Sequence, residues 1–278
     1  MTRYLPFQWH PLVLLATVGL GWGLSSFATT RRERWQSFGA TLGFFLTLYW
    51  PIGDLSRSVS LSVAVVQRLV IMLLVVPFVL QVLPLRLLDR ATRPVPVDFV
   101  VRHLSHPGVA LIFVTTVGTL TVSPVMVDWG ARSLIGHAIN VVLVVIAGVV
   151  LWIPGLGRFP GTRRLSPAGR AGYLFASSLL VTSLSFVWIF STHSLYPALH
   201  HQEEILHVTA VFDQQFAGFV AKLGAYVPLW AIAFYVFFHA EDVGLPVEET
   251  PLHWADVERQ LLRVDRARAR ALRRHQPS

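Results

Sequence analysis

The sequence has no cysteine among its 278 residues. Disulfides, zinc–thiolate and iron–sulfur sites and thiol catalysis are therefore excluded. Charged residues are also scarce, at 14% of the chain, whereas a soluble domain has about 25%. This shortage excludes a disordered chain, a cytosolic enzyme and a nucleic-acid-binding module, so no nucleic acid is expected as a partner.

Long apolar runs take the place of the missing charge. Hydrophobic residues make up 54% of the chain, and its mean hydropathy is +0.57. A helix that spans a bilayer needs about 20 mostly apolar residues, and seven segments are candidates. They are residues 11–28, 36–50, 59–82, 107–127, 134–153, 171–190 and 216–239. The sequence therefore predicts an all-α polytopic membrane protein, with seven transmembrane helices forming one bundle over residues 1–240.

The positions of the arginines predict the orientation of this bundle. Loops that retain basic residues stay on the cytoplasmic side of a membrane. Arginines are dense in the connections after the first, third and fifth apolar segments and in the C-terminal tail. Examples are Arg31, Arg90, Arg163 and Arg268. This alternation predicts an N-terminus outside and a C-terminus inside.

The tail over residues 241–278 differs in character from the apolar segments. It begins with an acidic, proline-containing stretch and continues with arginines that flank apolar residues at roughly helical spacing. These apolar residues are Trp254, Val257, Leu261, Leu262 and Val264. The pattern predicts either a basic amphipathic helix on the inner leaflet or a solvated cytoplasmic tail.

Several histidines and carboxylates fall on the predicted outer side. In the connection between the sixth and seventh segments, His200, Glu203, Glu204 and His207 would share one face of a helix. The same side also carries His137, His193, His201 and Asp213. Imidazoles and carboxylates together can bind copper or zinc, so these residues are candidate metal ligands. The alternative is a solvated polar face on an extramembrane loop.

Polar and charged residues inside the predicted spans are functional candidates, because burying them in lipid is costly. These intramembrane residues are Gln67, Arg68, Gln214 and Lys222. Arg68 needs a partner near mid-depth, and Asp213 at the mouth of the seventh segment is a candidate. Such a pair would either fix the packing of the helices or take part in transport or binding.

Four stretches together resemble one family, the CtaG-like assembly proteins of bacterial caa-type cytochrome c oxidases. They are residues 102–107 (RHLSHP), 151–157 (LWIPGLG), 191–197 (STHSLYP) and 213–218 (DQQFAG). The resemblance implies a multi-pass protein of the bacterial plasma membrane that is needed for oxidase maturation. It also implies oxidase subunits as partners and copper, delivered from the outer side, as the candidate metal.

The sequence departs from this family at the histidines of two spans. The family's third span typically shows His-x-x-Gln-His, and here the stretch runs from Ala64 to Gln67 and Arg68. The fifth span typically opens with His-x-x-Glu-His, and here only His137 fits. An arginine does not bind a cation and repels one. Of the candidate ligands, His137 and Asp213 remain. The hypothesis is that outer-loop residues supply the replacement ligands, namely His193, His200, His201 and His207.

The sequence predicts the first of three candidate functions, and the other two are alternatives. The first is a non-enzymatic assembly factor for cytochrome c oxidase that binds or delivers copper. The second is a diverged, metal-free membrane scaffold or partner subunit of the respiratory chain. The third is a small secondary transporter that uses Arg68, Asp213 and Lys222, although no internal repeat is visible.

Overall fold

The computed structural model describes residues 11–49, 52–159, 162, 165–197, 199 and 206–239. Within these ranges the chain is helical and contains no strand, which confirms the all-α prediction. The helices in chain order are α1 (Pro11–Phe27), α2 (Arg31–Leu48), α3 (Ile52–Ser58), α4 (Leu61–Val70), α5 (Val76–Val82), α6 (Leu85–Thr92), α7 (Val95–Leu104), α8 (Pro107–Thr121), α9 (Pro124–Arg132), α10 (Leu134–Leu156), α11 (Pro167–Val181), α12 (Ser185–Phe190) and α13 (Ala210–Phe238).

Four helices of the described chain are long and apolar enough to cross a membrane. They are Leu61–Val82, Leu134–Leu156, Pro167–Phe190 and Ala210–Phe238. A fifth is counted if α7 and α8, which meet at an angle of 95°, are taken as one broken span. The remaining two predicted segments form α1, which is apolar but has 17 residues, and α2, which opens on Arg31, Arg32, Glu33 and Arg34.

The helix starts follow local capping signals in the sequence. The hydroxyls of Ser60, Ser123, Ser133 and Ser166 accept from the first turns of α4, α9, α10 and α11. This arrangement pairs N–H groups that a helix start otherwise leaves without partners.

A capping box begins α2. Thr30 accepts from the Glu33 N–H, and the Glu33 carboxylate accepts from the backbone N–H groups of Thr29 and Thr30 at 2.8 and 2.9 Å. The capping box thereby pairs backbone N–H groups at the start of α2.

Short helices occupy several stretches that the sequence placed in loops or in a longer span. The predicted segment 107–127 ends earlier, at Thr121, and the chain then turns into α9. Pro124 sits in the first turn of α9, where its missing N–H costs nothing. The residue before a proline disfavours the α conformation, so the proline also explains why α8 does not continue through it.

A π-helical turn, Ile71–Val75, joins α4 to α5 within one continuous helix. Val76 N–H donates to the Ile71 carbonyl, five residues back. In the same register residue 77 would donate to the Met72 carbonyl, but Pro77 has no N–H. The Met72 carbonyl instead accepts from Trp152 Nε1 on α10 at 2.7 Å.

The largest buried cluster surrounds α10 at this turn. It includes Met72, Val76, Val144, Leu151 and Trp152. Gly148 lets α10 approach closely, since a Cβ there would lie 3.3 Å from Met72 Cα. The packing of α10 against the π-helical turn therefore depends on a small residue, as is common between helices in membranes.

Helices α1 to α12, and α13 as far as Phe237, lie in one compact unit of the described chain. The predicted cytoplasmic tail over residues 241–278 lies outside the described residues, so its amphipathic helix stays a prediction.

Candidate functional site

Asp213 lies in the first turn of α13, and its carboxylate accepts from the start of α4. Oδ2 accepts from Leu61 N–H at 2.7 Å, and Oδ1 accepts from the Ser60 hydroxyl at 2.7 Å and Ser62 N–H at 3.3 Å. The Ser62 hydroxyl donates to the Asp213 backbone carbonyl at 2.8 Å. A helix N-terminus favours a negative charge and needs acceptors. Asp213 therefore fastens α13 to α4.

The two glutamines that follow hold the segment between α12 and α13. Gln214 Oε1 accepts from Leu195 N–H at 2.8 Å, and its Nε2 donates to the His193 carbonyl at 3.3 Å. Gln215 Nε2 donates to the Ser191 carbonyl at 3.1 Å. We call Asp213, Gln214 and Gln215 together the 213–215 clamp, because they hold both α4 and residues 191–195.

Tyr196 connects the clamped segment to two further helices. Its hydroxyl accepts from Trp188 Nε1 at 2.9 Å and donates to the Val122 carbonyl, just after α8, at 2.7 Å. Burial raises the pKa of Tyr196 to about 12. A tyrosine hydroxyl is protonated at neutral pH even at its ordinary pKa of about 10, and the shift extends the pH range over which Tyr196 is a donor. The clamp and Tyr196 thus join α4, α8, α12 and α13.

Arg68 lies in α4, and it does not pair with Asp213 as the sequence predicted. Its Nη2 donates to the Thr121 carbonyl and to Asn140 Oδ1, the latter at 3.3 Å. Asn140 Nδ2 donates to the same Thr121 carbonyl at 3.0 Å. The arginine therefore links α4 to α8 and α10 through uncharged acceptors.

The other predicted intramembrane residues are also engaged. Gln67 Nε2 donates to the Thr47 carbonyl of α2 at 2.7 Å. Lys222 Nζ donates to Thr182 Oγ1 at 3.3 Å and lies 3.8 Å from the ring centroid of Phe186. A cation over an aromatic ring is attracted by the ring's quadrupole, so the ring and the hydroxyl together replace a carboxylate partner.

In the part of the chain that the structure describes, the predicted metal ligands do not form one group. No three His, Cys, Asp or Glu side chains of that part are close enough together to hold a metal ion. His193 and His207 are exposed, and His137 is half-buried on α10. His200, His201 and Glu204 lie outside the described residues, so a copper site in that loop stays a prediction.

Comparison with known families gives a match over most of the chain. Residues 15–241 match the sequence-family model named cytochrome c oxidase caa3 assembly factor (Caa3_CtaG). The chain belongs to this family. This match confirms the resemblance inferred from the four short stretches. No curated protein and no solved structure matches the chain.

In this Caa3_CtaG protein, two of those stretches form links between helices. Residues 213–215 make the clamp, and Gly218 one turn later packs against α12, where a Cβ would lie 2.8 Å from the Ser185 carbonyl. In the other stretch, Trp152 binds Met72, and Gly157 ends α10 with a φ of 61°. The next residue, Arg158, donates to the Leu80 carbonyl at 2.9 Å at the end of α5.

The residues that receive or complete these links were not predicted from the sequence. Ser60 and Ser62 hold Asp213, and Asn140 holds Arg68 together with the Thr121 carbonyl. A serine directly before an apolar run is an N-cap signal, so Ser60 could have been identified from the sequence. The pairing with Asp213 could not, because the two residues are far apart in the chain.

Proposed function

We propose that this Caa3_CtaG protein is a membrane-integral, non-enzymatic assembly factor for cytochrome c oxidase in a bacterial plasma membrane. The family match over residues 15–241 carries the proposal. The long apolar helices of the described chain support a location in the lipid bilayer. Its partners in this role are the oxidase subunits.

We further propose seven spans, with the N-terminus outside and the C-terminus inside. The spans would be α1, α2, α4 with α5, α8, α10, α11 with α12, and α13. Each of the seven apolar segments of the sequence overlaps one of them. The distribution of arginines supports the orientation, because basic loops are retained in the cytoplasm.

For copper, we propose that delivery depends on the loop residues His200, His201, Glu204 and His207. Two polar residues of the bundle are poorly suited as metal ligands, which supports this choice. Asp213 caps α4, and Arg68 stands where the family typically has a histidine. Copper would be cargo that the loop passes to the oxidase, and its ligands would be imidazoles and a carboxylate.

A metal-free scaffold is the second candidate, and Arg68 favours it. A guanidinium between α4, α8 and α10 repels a cation and gives it no lone pair. In this alternative the protein binds an oxidase subunit during maturation and carries no copper.

Deletion of the gene in the native host tests the assembly role. We expect loss of caa-type oxidase activity, and recovery when the wild-type gene is returned. Normal oxidase assembly in the deletion strain, with no second family member in the genome, would contradict the proposal.

Complementation with His200→Ala/His207→Ala separates the two candidates. If the loop delivers copper, the oxidase recovered from this strain is copper-deficient, whereas a scaffold leaves its copper content normal. The matched control is His253→Ala/His275→Ala, which removes two histidines of the tail and is expected to restore a fully metallated enzyme.

A further inference from the structure

A small polar cavity lies where α3, α4, α9 and α10 meet. Its volume is about 20 Å³, and a cavity needs at least about 10–15 Å³ to hold a water molecule. The cavity therefore has room for at least one species of the size of water. Its polar lining residues are Ser56, Arg57, Gln67, Arg68, His137 and Asn140.

Two guanidinium nitrogens of this lining are buried without a partner. Arg57 Nε and Arg68 Nη1 make no hydrogen bond to the rest of the described chain. The other terminal nitrogen of Arg68, Nη2, donates to uncharged oxygens of Thr121 and Asn140. A buried donor without an acceptor is costly, and more so when it is charged.

The chemistry of the lining residues determines whether a cation or an anion would bind. Arginine has five N–H donors and no acceptor, and it keeps its positive charge. Gln67 and Asn140 also carry N–H donors, and no acidic residue of the described chain lines the cavity. Charged residues within membrane helices commonly mark ion sites. The field and the donors both favour an anion and disfavour a metal cation.

We propose that this cavity binds a single small inorganic anion of the size of chloride. Such an ion would accept from the unpartnered nitrogens of Arg57 and Arg68 and offset their charge. The site is independent of oxidase assembly, because it rests on the geometry of α3, α4, α9 and α10 alone.

Chloride titration of the purified full-length protein tests the proposal. Sodium chloride replaces sodium gluconate at constant ionic strength, and thermal unfolding is followed in detergent. A ligand that binds only the folded state raises the Tm with its concentration. We expect a saturable rise for the wild-type protein.

Two variants locate the site. Arg68→Gln removes the central guanidinium and is expected to weaken chloride binding by about tenfold or more, as loss of a charge-assisted hydrogen bond predicts. Arg57→Gln is the second variant, and it should spare the fold because Arg57 lies in the short helix α3, outside the long apolar helices. Arg93→Gln, which changes an exposed arginine paired with Asp89, is the control and should keep the wild-type response.

Two results would overturn the anion site. One is a wild-type Tm that does not change when chloride replaces gluconate. The other is a chloride response in Arg57→Gln and in any folded Arg68→Gln protein that equals the response of the Arg93→Gln control.

Discussion

At the scale of single residues, Asp213 illustrates how one carboxylate can serve as a tertiary helix cap. It is buried, at 4% exposure, and it receives three donors from residues 60–62. Hydrogen bonds to a charged acceptor contribute about 1.5–3 kcal/mol each in comparable cases. The stability that the clamp provides therefore explains the Asp-Gln-Gln stretch. The three donors also leave few lone pairs on the Asp213 carboxylate for a metal.

We predict that Asp213→Asn destabilises the protein without changing its metal content. The asparagine has one acceptor oxygen, and its NH₂ group faces N–H donors of α4. The free energy of unfolding should fall by about 2 kcal/mol, measured by thermal or denaturant unfolding in detergent.

The control for this variant is Asp98→Asn. Asp98 pairs with Arg102 at the surface, where 37% of its side chain is exposed, and such pairs contribute about 0–1 kcal/mol. An Asp213→Asn protein with unchanged stability and lowered bound copper would identify Asp213 as a metal ligand and not as a cap.

At the scale of elements, the π-helical turn at Ile71–Val75 depends on a match between two helices. Pro77 leaves the Met72 carbonyl without an N–H from its own helix, and Trp152 of α10 supplies one. Arg158, just beyond α10, then binds carbonyls at the end of α5, including those of Leu80 and Gln81. One helix end thus completes the backbone hydrogen bonds of its neighbour, as a low-dielectric environment requires.

We predict that Trp152→Phe destabilises the protein less when residue 77 has a backbone N–H that can donate a hydrogen bond. In the wild-type background the variant leaves the Met72 carbonyl unpaired, at a cost of about 1–3 kcal/mol. In Pro77→Ala the new N–H can reach that carbonyl, so the cost should be about 1 kcal/mol smaller. Unfolding of the four proteins of this double-mutant cycle measures the coupling.

Trp230→Phe is the matched control for the cycle. Trp230 Nε1 donates to Ser178 Oγ at 2.8 Å, away from Pro77, so its cost should be the same in both backgrounds. Equal coupling of Trp152 and Trp230 to residue 77 would show that Pro77→Ala acts through a general loss of packing.

At the scale of the whole molecule, the absence of cysteine makes the proposed topology easy to test. Any cysteine introduced into the chain is its only thiol. Thr192 follows α12 and Ala168 lies in the first turn of α11, and both are exposed. They lie at opposite ends of the Pro167–Phe190 helix, which is long enough to cross a bilayer.

We predict that a membrane-impermeant maleimide labels Thr192→Cys in intact spheroplasts and labels Ala168→Cys only after permeabilisation. This pattern follows from an N-terminus outside and seven spans, since Thr192 then faces the exterior. The reverse pattern would place the loop with His200 and His207 in the cytoplasm, and copper delivery from the outer side would then be wrong.

The sequence by itself determined where the apolar helices lie. The apolar runs, the serine caps and the glycine at residue 157 are local signals, so the seven predicted segments each fall on a helix of the structure. The motifs also identified the family, because they depend on residue order alone. The short helices α3, α6, α7 and α9 were missed, since their sequences have neither the length nor the apolarity of a span.

Only the tertiary structure decided what the polar residues bind. Asp213 and Arg68 have opposite charges and were paired on the sequence, yet one caps α4 and the other binds the Thr121 carbonyl and Asn140. Hydrogen bonds act over about 3 Å, so their partners depend on which helix ends meet in the bundle. That meeting is set by packing between distant segments, such as Gly148 against the π-helical turn, and local sequence does not specify it.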